Sequence, residues 1–186
     1  MQHFESGQLI LILGGVRSGK SRYAQQLAQR ANRVTFVATA ERRDDEEMLK
    51  KIERHCAERP SHWKTIEEPL NLAQIVRSAG TDCDVLLIDC LTLFASNLLE
   101  AYGEDLVLAQ PQIDDLCAAL QSASCTVILV SNEVGGGVVP AYALARRFRD
   151  LVGEINQRIA VVADSVVLMV AGLPLALKGS VREAQR

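Results

Sequence analysis

The sequence predicts an α/β fold in which a mostly parallel sheet carries helices on both faces. Short apolar runs rich in β-branched residues alternate with segments of helical periodicity along the 186 residues. These runs are apolar throughout, which is typical of parallel strands buried on both faces. Glycine or polar residues follow several runs, and ligands of such sheets bind beyond the carboxyl ends of the strands. We therefore expect one site at that edge of the sheet.

The elements are predicted in order from periodicity and from turn residues. Strands are expected at residues 9–13, 33–39, 84–89, 126–131 and 166–170. Helices are expected at residues 18–30, 44–59, 70–79, 91–102, 111–123 and 140–163, with a loop at 61–69 that contains a short extended piece. Proline at 111 and 140 suits the first turn of a helix. Without repeats or linkers, residues 1–186 are expected to form one domain, with flexible ends at 1–8 and 179–186.

The composition limits which binding partners and which cellular compartment are expected. Hydrophobic residues make up 48% and charged residues 23%, which is ordinary for a globular α/β protein. The net charge is −3 and the basic residues are scattered, so no nucleic-acid partner is expected. The five cysteines are an odd number without a C-x-x-C pair, which indicates core residues in a reducing compartment.

Neither of the two apolar stretches considered next suits a signal peptide or a transmembrane helix. The first apolar run has strand length and does not suit a signal peptide. The apolar stretch at 166–177 is broken by Gly172 and Pro174 and is too short to span a bilayer. A cytoplasmic location with no integral membrane segment is expected.

Residues 8–28 hold the pattern G-x-x-x-x-G-K-[ST], between an apolar strand and an amphipathic helix as the motif requires. Glycines let successive backbone N–H groups turn inward around a phosphate, and the helix adds its positive N-terminal end. Lys20 then reaches the outer phosphates, and the Ser21 hydroxyl can ligate Mg²⁺. The fold is therefore expected to be a P-loop NTPase of the RecA-like kind. The candidate phosphate-binding residues are Gly14, Gly15, Val16, Arg17, Ser18, Gly19, Lys20 and Ser21.

Two later strand ends carry weaker signals. Asp89 closes its strand where nucleotide-binding proteins place a carboxylate that holds Mg²⁺, although such a residue can also cap the next turn. Residues 132–137 form a glycine-rich turn that could sense phosphates, act as a lid hinge or simply make a long turn. Three arginines follow on the next helix and cannot share one direction, so at least one faces solvent.

The segment at 53–63 contains His55 on a polar helix between Arg54 and Arg59. A surface histidine is one interpretation. The other is a nucleophile, because a neutral imidazole is competent at pH 7 and flanking arginines can neutralise charge on an attacked phosphate.

Six segments together resemble the bifunctional adenosylcobinamide kinase/adenosylcobinamide-phosphate guanylyltransferase family of cobalamin biosynthesis. They are GGVRSGKS, VATA, H-x-x-x-R-P-x-H-W, strand-end DC-x-T, SNEVG-x-G-x-VP and LARRFRD-x-x-G-x-x-NQ-x-x-A. The resemblance covers residues 9–178, nearly the whole chain. The histidine segment and the last two blocks distinguish it from other small P-loop kinases.

The resemblance implies two reactions. ATP or GTP phosphorylates the aminopropanol hydroxyl of adenosylcobinamide, and GTP then transfers GMP through a guanylylated histidine, which aligns with His55. The expected small molecules are GTP, ATP, Mg²⁺ and the corrinoid substrate, and members are typically homotrimers. The expected catalytic residues are His55 and Lys20. The further nucleotide-binding positions are Ala38, Thr39, Ala40, Cys56, Ala57, Glu58, Arg59, Glu67 and Asp89, and the metal positions are Ser21 and Asp89.

Two departures from the family pattern stand out. Arg54 occupies a position where members often have a second histidine, and Asp89 stands where the acid can be Glu. A monofunctional small-molecule kinase of the same fold is the alternative, with His55 merely at the surface. A non-catalytic switch or ATPase module is a third, but an N-K-x-D motif and a basic DNA-facing surface are not apparent.

Overall fold

The computed structural model describes residues 7–40, 60–79, 82–103 and 105–180. The strands are β1 (Leu9–Gly14), β2 (Val34–Ala38), β3 (Lys64–Glu67), β4 (Val85–Asp89), β5 (Thr126–Val130), β6 (Ser165–Val170) and β7 (Leu173–Lys178). The helices are α1 (Lys20–Ala28), α2 (Leu72–Ala79), α3 (Leu91–Tyr102), α4 (Gln110–Gln121) and α5 (Ala143–Val162), with a 3₁₀ helix at Leu106–Ala109.

The seven strands form one sheet in the order β3-β2-β4-β5-β1-β6-β7. The pairs from β3 to β6 are parallel, and β7 alone runs antiparallel, against β6. Asp89 pairs with Ala38 on one side and with Val130 on the other. Because these strands are parallel, the ends of β1, β2, β4 and β5 meet at one edge.

Both faces of the sheet are covered. Along β1, Leu9, Leu11 and Leu13 belong to the core under α2–α5, whereas Ile10 and Ile12 belong to the core under α1. All six residues of β1 are buried, which explains why its sequence does not alternate between apolar and polar. The predicted parallel sheet with helices on both faces is confirmed.

Most element predictions are close, and the differences have local causes. The first helix begins at Lys20 and not at residue 18, because Gly19 has a left-handed φ of 95°. The helix expected from residue 140 begins at Ala143, and the one expected from 111 begins at Gln110. Strand β3 is the extended piece expected within 61–69, whereas β7 was not predicted at all.

Three further predictions concern the helix at 44–59, the ends of the chain and the membrane. The helix expected at 44–59 lies outside the described residues, as do most of the ends predicted to be flexible. In the described ranges, none of the helices combines the length and apolar character needed to cross a bilayer.

Candidate active site

The loop between β1 and α1 has the steric features that a phosphate-binding loop requires. At Gly14 a Cβ atom would lie 2.5 Å from the Met169 carbonyl oxygen and 2.6 Å from Ser18 Oγ. At Gly19 the φ of 95° is one that residues with side chains rarely adopt. Glycine is therefore needed at both positions for the backbone to make this turn.

Lys20 is buried at the base of the loop, where its Nζ donates a hydrogen bond of 2.6 Å to the carbonyl oxygen of Gly15. Burial lowers the pKa of Lys20, while the neighbouring Cys90 and Asp89 act in the opposite direction. The side chain thus crosses the loop from helix α1 and lies within electrostatic range of the end of β4. A phosphate entering the loop would meet this ammonium group.

The hydroxyl of Ser18 is buried and has no hydrogen-bond partner among the described residues. Buried polar groups that lack a partner are rare in native proteins. Ser18 Oγ lies inside the loop, close to the position that a Gly14 side chain would occupy. An oxygen of a bound phosphate would satisfy it, so the loop fits the group that its sequence predicts.

The end of β4 is fixed to the end of β2 through Thr39. The Thr39 hydroxyl accepts a hydrogen bond of 2.8 Å from the Cys90 N–H and donates one of 2.8 Å to the Cys90 carbonyl oxygen. The Asp89–Cys90 peptide bond is cis. Asn97 of α3 donates a further bond of 2.8 Å to the Thr39 carbonyl oxygen. The backbone that follows Asp89 is therefore tied to the end of β2, which α3 in turn holds in place.

Cys90 follows Asp89 directly but does not suit a nucleophilic role. Burial, together with the charge of Asp89, raises the pKa of the Cys90 thiol to about 11. A thiol with that pKa is protonated at neutral pH, and only the thiolate is reactive.

The turn after β5 lies against the phosphate loop. The N–H of Glu133 donates a bond of 3.0 Å to the carbonyl oxygen of Gly14. The preceding residue, Asn132, donates its N–H to Thr92 Oγ1 at 2.8 Å, and its carbonyl accepts a bond of 3.1 Å from Asn156. Helices α3 and α5 thereby hold the start of this turn next to the loop.

A family model described as cobinamide kinase / cobinamide phosphate guanyltransferase matches residues 10–177. The match includes the phosphate loop, the ends of β2 and β4, and the turn after β5. The chain belongs to this family. The predicted family and enzyme class are confirmed.

Named relatives of the family align over almost their full length. A bifunctional adenosylcobalamin biosynthesis protein, CobP, of Pseudomonas aeruginosa is 46% identical over 170 residues, which cover 91% of this chain and 96% of that protein. The corresponding protein of Salmonella typhimurium, CobU, is 41% identical over 181 residues, covering 91% and 99% respectively.

The fold also resembles that of a solved ATPase. A structure described as a prototypical ATPase from the type III secretion system of pathogenic bacteria matches with a TM-score of 0.57 and 16% identity. The match covers 92% of this chain and 57% of that chain. At this identity the likeness concerns the fold alone, and it agrees with the predicted RecA-like P-loop fold.

The structure brings many of the predicted positions to one edge. Loop residues 14–21 lie beside Asp89 and Thr39, and Glu67 ends β3 level with Ala38. His55 and the predicted guanine-contacting residues lie outside the described part of the chain, so their roles stay predictions. They comprise Cys56, Ala57, Glu58 and Arg59.

Several supporting side chains were not assigned from the sequence. Thr92 and Asn156 lie within segments that carry the family resemblance, but no role followed from their spacing. Asn97 is the one amide side chain on a mostly apolar helix, and it is almost fully buried. A polar residue in such a position is the one signal that could have identified it, because buried amides require partners.

Proposed function

We propose that this chain phosphorylates adenosylcobinamide with ATP or GTP, and then transfers GMP from GTP to the product through a guanylylated His55. Membership of the family supports the two reactions. The single observation that carries the residue assignment is the phosphate loop, with buried Lys20 and the unpartnered Ser18 hydroxyl inside it. Both reactions begin from a nucleoside triphosphate, so one loop serves both.

In the kinase step, the aminopropanol hydroxyl oxygen of the corrinoid attacks the γ-phosphorus. The bond between that phosphorus and the β–γ bridging oxygen breaks, a nucleoside diphosphate leaves, and the hydroxyl proton passes to solvent. Lys20 and the N-terminal backbone of α1 stabilise the charge on the outer phosphate oxygens. Removal of one such stabilising group typically slows a reaction by about a hundredfold or more.

In the guanylyl step, a ring nitrogen of His55 attacks the α-phosphorus of GTP and pyrophosphate leaves. An oxygen of the cobinamide phosphate then attacks the same phosphorus, which frees His55 and gives adenosylcobinamide-GDP. Cys56, Ala57, Glu58 and Arg59 are the proposed guanine contacts. One feature of the described residues supports this assignment. Strand β2 ends beside Asp89 at the site edge, and the segment that contains His55 follows β2 in the sequence.

Mg²⁺ is proposed to bind at Ser21 and Asp89. The described residues contain no group of three or more His, Cys, Asp or Glu side chains suited to a metal. Mg²⁺ at a phosphate site is usually held by one or two protein oxygens together with substrate phosphates and water. When bound, it neutralises negative charge on the phosphates.

Ala38, Thr39, Ala40 and Glu67 are proposed to border the nucleotide. The Thr39 hydroxyl is already bonded to the Cys90 backbone, so its contribution is to hold the carboxylate end of β4 in place. Ala38 and Glu67 stand level at the ends of neighbouring strands.

The covalent intermediate can be tested directly with GTP labelled at the α-phosphate. In the absence of corrinoid, the wild-type protein should acquire label that is released by acid and retained in alkali, as expected of a phosphoramidate. His55→Ala should abolish labelling and guanylyl transfer but keep part of the kinase activity. The matched control is His62→Ala, since His62 is exposed and should not affect labelling.

Two results would contradict the assignment. Label that survives in His55→Ala and disappears in His62→Ala would move the nucleophile to the second histidine. A wild-type protein that never acquires label, but phosphorylates adenosylcobinamide, would be a monofunctional kinase.

We further propose that the chain is a single-domain protein that assembles as a homotrimer in the cytoplasm and has no nucleic-acid partner. Leu173, Leu175 and Leu177 form an exposed apolar row on strand β7, here called the β7 stripe, which supports self-association. The odd number of cysteines without a C-x-x-C pair supports a reducing compartment.

A further inference from the structure

The turn that follows β5 carries an apolar surface that no other element of the described chain covers. Val138, Val139, Tyr142 and Leu144 are all exposed, and Val138 is 95% exposed. These four residues, here called the 138–144 patch, lie within seven positions of each other at the N-terminal end of α5. Large apolar side chains grouped in this way mark a binding surface more often than an ordinary solvent-facing turn.

The segment that carries the patch begins beside the phosphate loop. Its segment leaves the sheet at Glu133, whose N–H is bonded to the Gly14 carbonyl oxygen, and reaches the patch through residues 134–137. Val16 at the tip of the phosphate loop is exposed as well. A substrate on the patch would therefore lie on the segment that leads to the phosphate loop.

The patch is held in place in the free protein. Arg146 on the first turn of α5 donates hydrogen bonds from one guanidinium nitrogen to the carbonyl oxygens of Pro140 at 3.0 Å and Ala141 at 2.6 Å. Asn156 and Thr92 fix the start of the segment at Asn132. The exposed side chains are thus carried by a backbone that is anchored on both sides.

The glycines before the patch are not required by the fold. A Cβ atom at Gly136 or Gly137 would have no neighbouring atom within 4 Å, and neither residue has the positive φ that favours glycine. Glycine without such a requirement costs chain entropy on folding. A backbone that must come close to a ligand is the remaining common reason for glycine.

We propose that Gly136, Gly137 and the 138–144 patch form the corrinoid-binding site. The corrin ring packs against the apolar side chains, and its amide groups bind the glycine backbone. This assignment rests on the proposed function, which supplies the corrinoid as acceptor. The chemistry of the two surfaces matches: a corrin ring offers apolar faces with amide side chains around the rim. Ligand sites generally combine an apolar lining with a few placed polar groups of this kind.

The test is equilibrium dialysis of adenosylcobinamide against the full-length protein, read by the visible absorbance of the corrin ring. Val138→Asp should weaken corrinoid binding by about tenfold or more, because a charge would be buried against the ring. Gly136→Ala should weaken it too while leaving the melting temperature unchanged or raised, since alanine is compatible with the backbone there. The matched control is Val107→Asp, at a 74% exposed valine on the 3₁₀ helix.

The assignment would be overturned by wild-type protein that binds no corrinoid, by unchanged affinity in Val138→Asp, or by the same loss of affinity in Val107→Asp. Self-labelling from GTP without corrinoid is measured alongside, and its loss in Val138→Asp would place the patch in the nucleotide site. Dissociation of the assembly by Val138→Asp would make the patch a contact between copies. Failure of the proposed function gives a different pattern, in which the wild type binds corrinoid but acquires no label.

Discussion

Thr39 shows how much of the site depends on one hydroxyl group. Its oxygen bonds both the N–H and the carbonyl oxygen of Cys90, and the residue is completely buried. These two bonds join the end of β2 to the residue after Asp89. The position of the carboxylate therefore depends on a side chain that faces away from solvent.

Thr39→Val should destabilise the protein and slow both reactions. Valine has nearly the same shape, so no cavity forms, but two partly buried backbone groups of Cys90 lose their partner. Leaving a buried polar group unpaired costs about 1–3 kcal/mol, and urea denaturation would measure the fall in unfolding free energy. Thr39→Ser keeps the hydroxyl and serves as the control. An unchanged urea midpoint in Thr39→Val would show that these bonds do not hold the strand end.

The phosphate loop could be predicted at the level of single residues, whereas the Thr39 contact could not. Residues 14–21 are contiguous, and their spacing alone encodes the turn, the lysine and the hydroxyl. Thr39 and Cys90 are 51 positions apart in the sequence. Their contact requires β2 to lie beside β4, with Ala38 paired to Asp89. Apolar and polar residue patterns predict the two strands but not which strands pair or in which register.

At the scale of elements, β7 is the strand that sequence reasoning missed. Pro174 and Gly172 suggest a break, and the alternating leucines of β7 lack the continuous apolar character of the other strands. The structure explains both features. β7 is the last strand of the sheet, where a proline without an N–H is tolerated and where one face need not be buried.

Leu175→Asp should dissociate the proposed homotrimer into monomers, because a charge would interrupt the β7 stripe in a buried interface. Light scattering gives the mass directly. Leu108→Asp is the matched control, since Leu108 and Leu175 are both 55% exposed and only Leu175 lies on the stripe. An intact trimer in Leu175→Asp, or a monomeric wild type, would rule out the stripe as the interface.

Two of the shifted helix boundaries have a related cause. Helices α1 and α5 begin later than predicted, and each follows a segment that serves the site edge, residues 14–19 and residues 131–142 respectively. Helical periodicity extends into such segments. The backbone there is diverted by the left-handed Gly19 in one case and by the contacts of Asn132 and Glu133 in the other.

At the scale of the whole molecule, the strand order concentrates the chemistry. Strands β2, β4, β5 and β1 are consecutive neighbours in the sheet, and all four run in the same direction. The nucleotide loop, the carboxylate at Asp89 and the turn at Asn132 therefore share one edge. The opposite edge holds structural contacts such as the ion pair of Arg33 with Asp84, which lowers the pKa of that carboxyl group.

This arrangement leads to the central claim, which is that one phosphate loop serves both reactions. Only one G-x-x-x-x-G-K-[ST] motif occurs in the chain, and its lysine is buried at the base of the loop. The kinase step breaks a bond at the γ-phosphorus, and the guanylyl step breaks one at the α-phosphorus. In both steps negative charge develops on oxygens of the β-phosphate in the leaving group, and Lys20 is proposed to stabilise that charge.

Lys20→Ala, assayed in the two half-reactions separately, tests this claim most directly. Phosphorylation of adenosylcobinamide and release of pyrophosphate from GTP without corrinoid should both slow by about a hundredfold or more, because the same ammonium group is lost from both transition states. Thermal unfolding of the variant verifies that it is folded. A folded Lys20→Ala protein that loses the kinase reaction but retains normal pyrophosphate release would contradict the claim, because the two steps would then use different nucleotide sites.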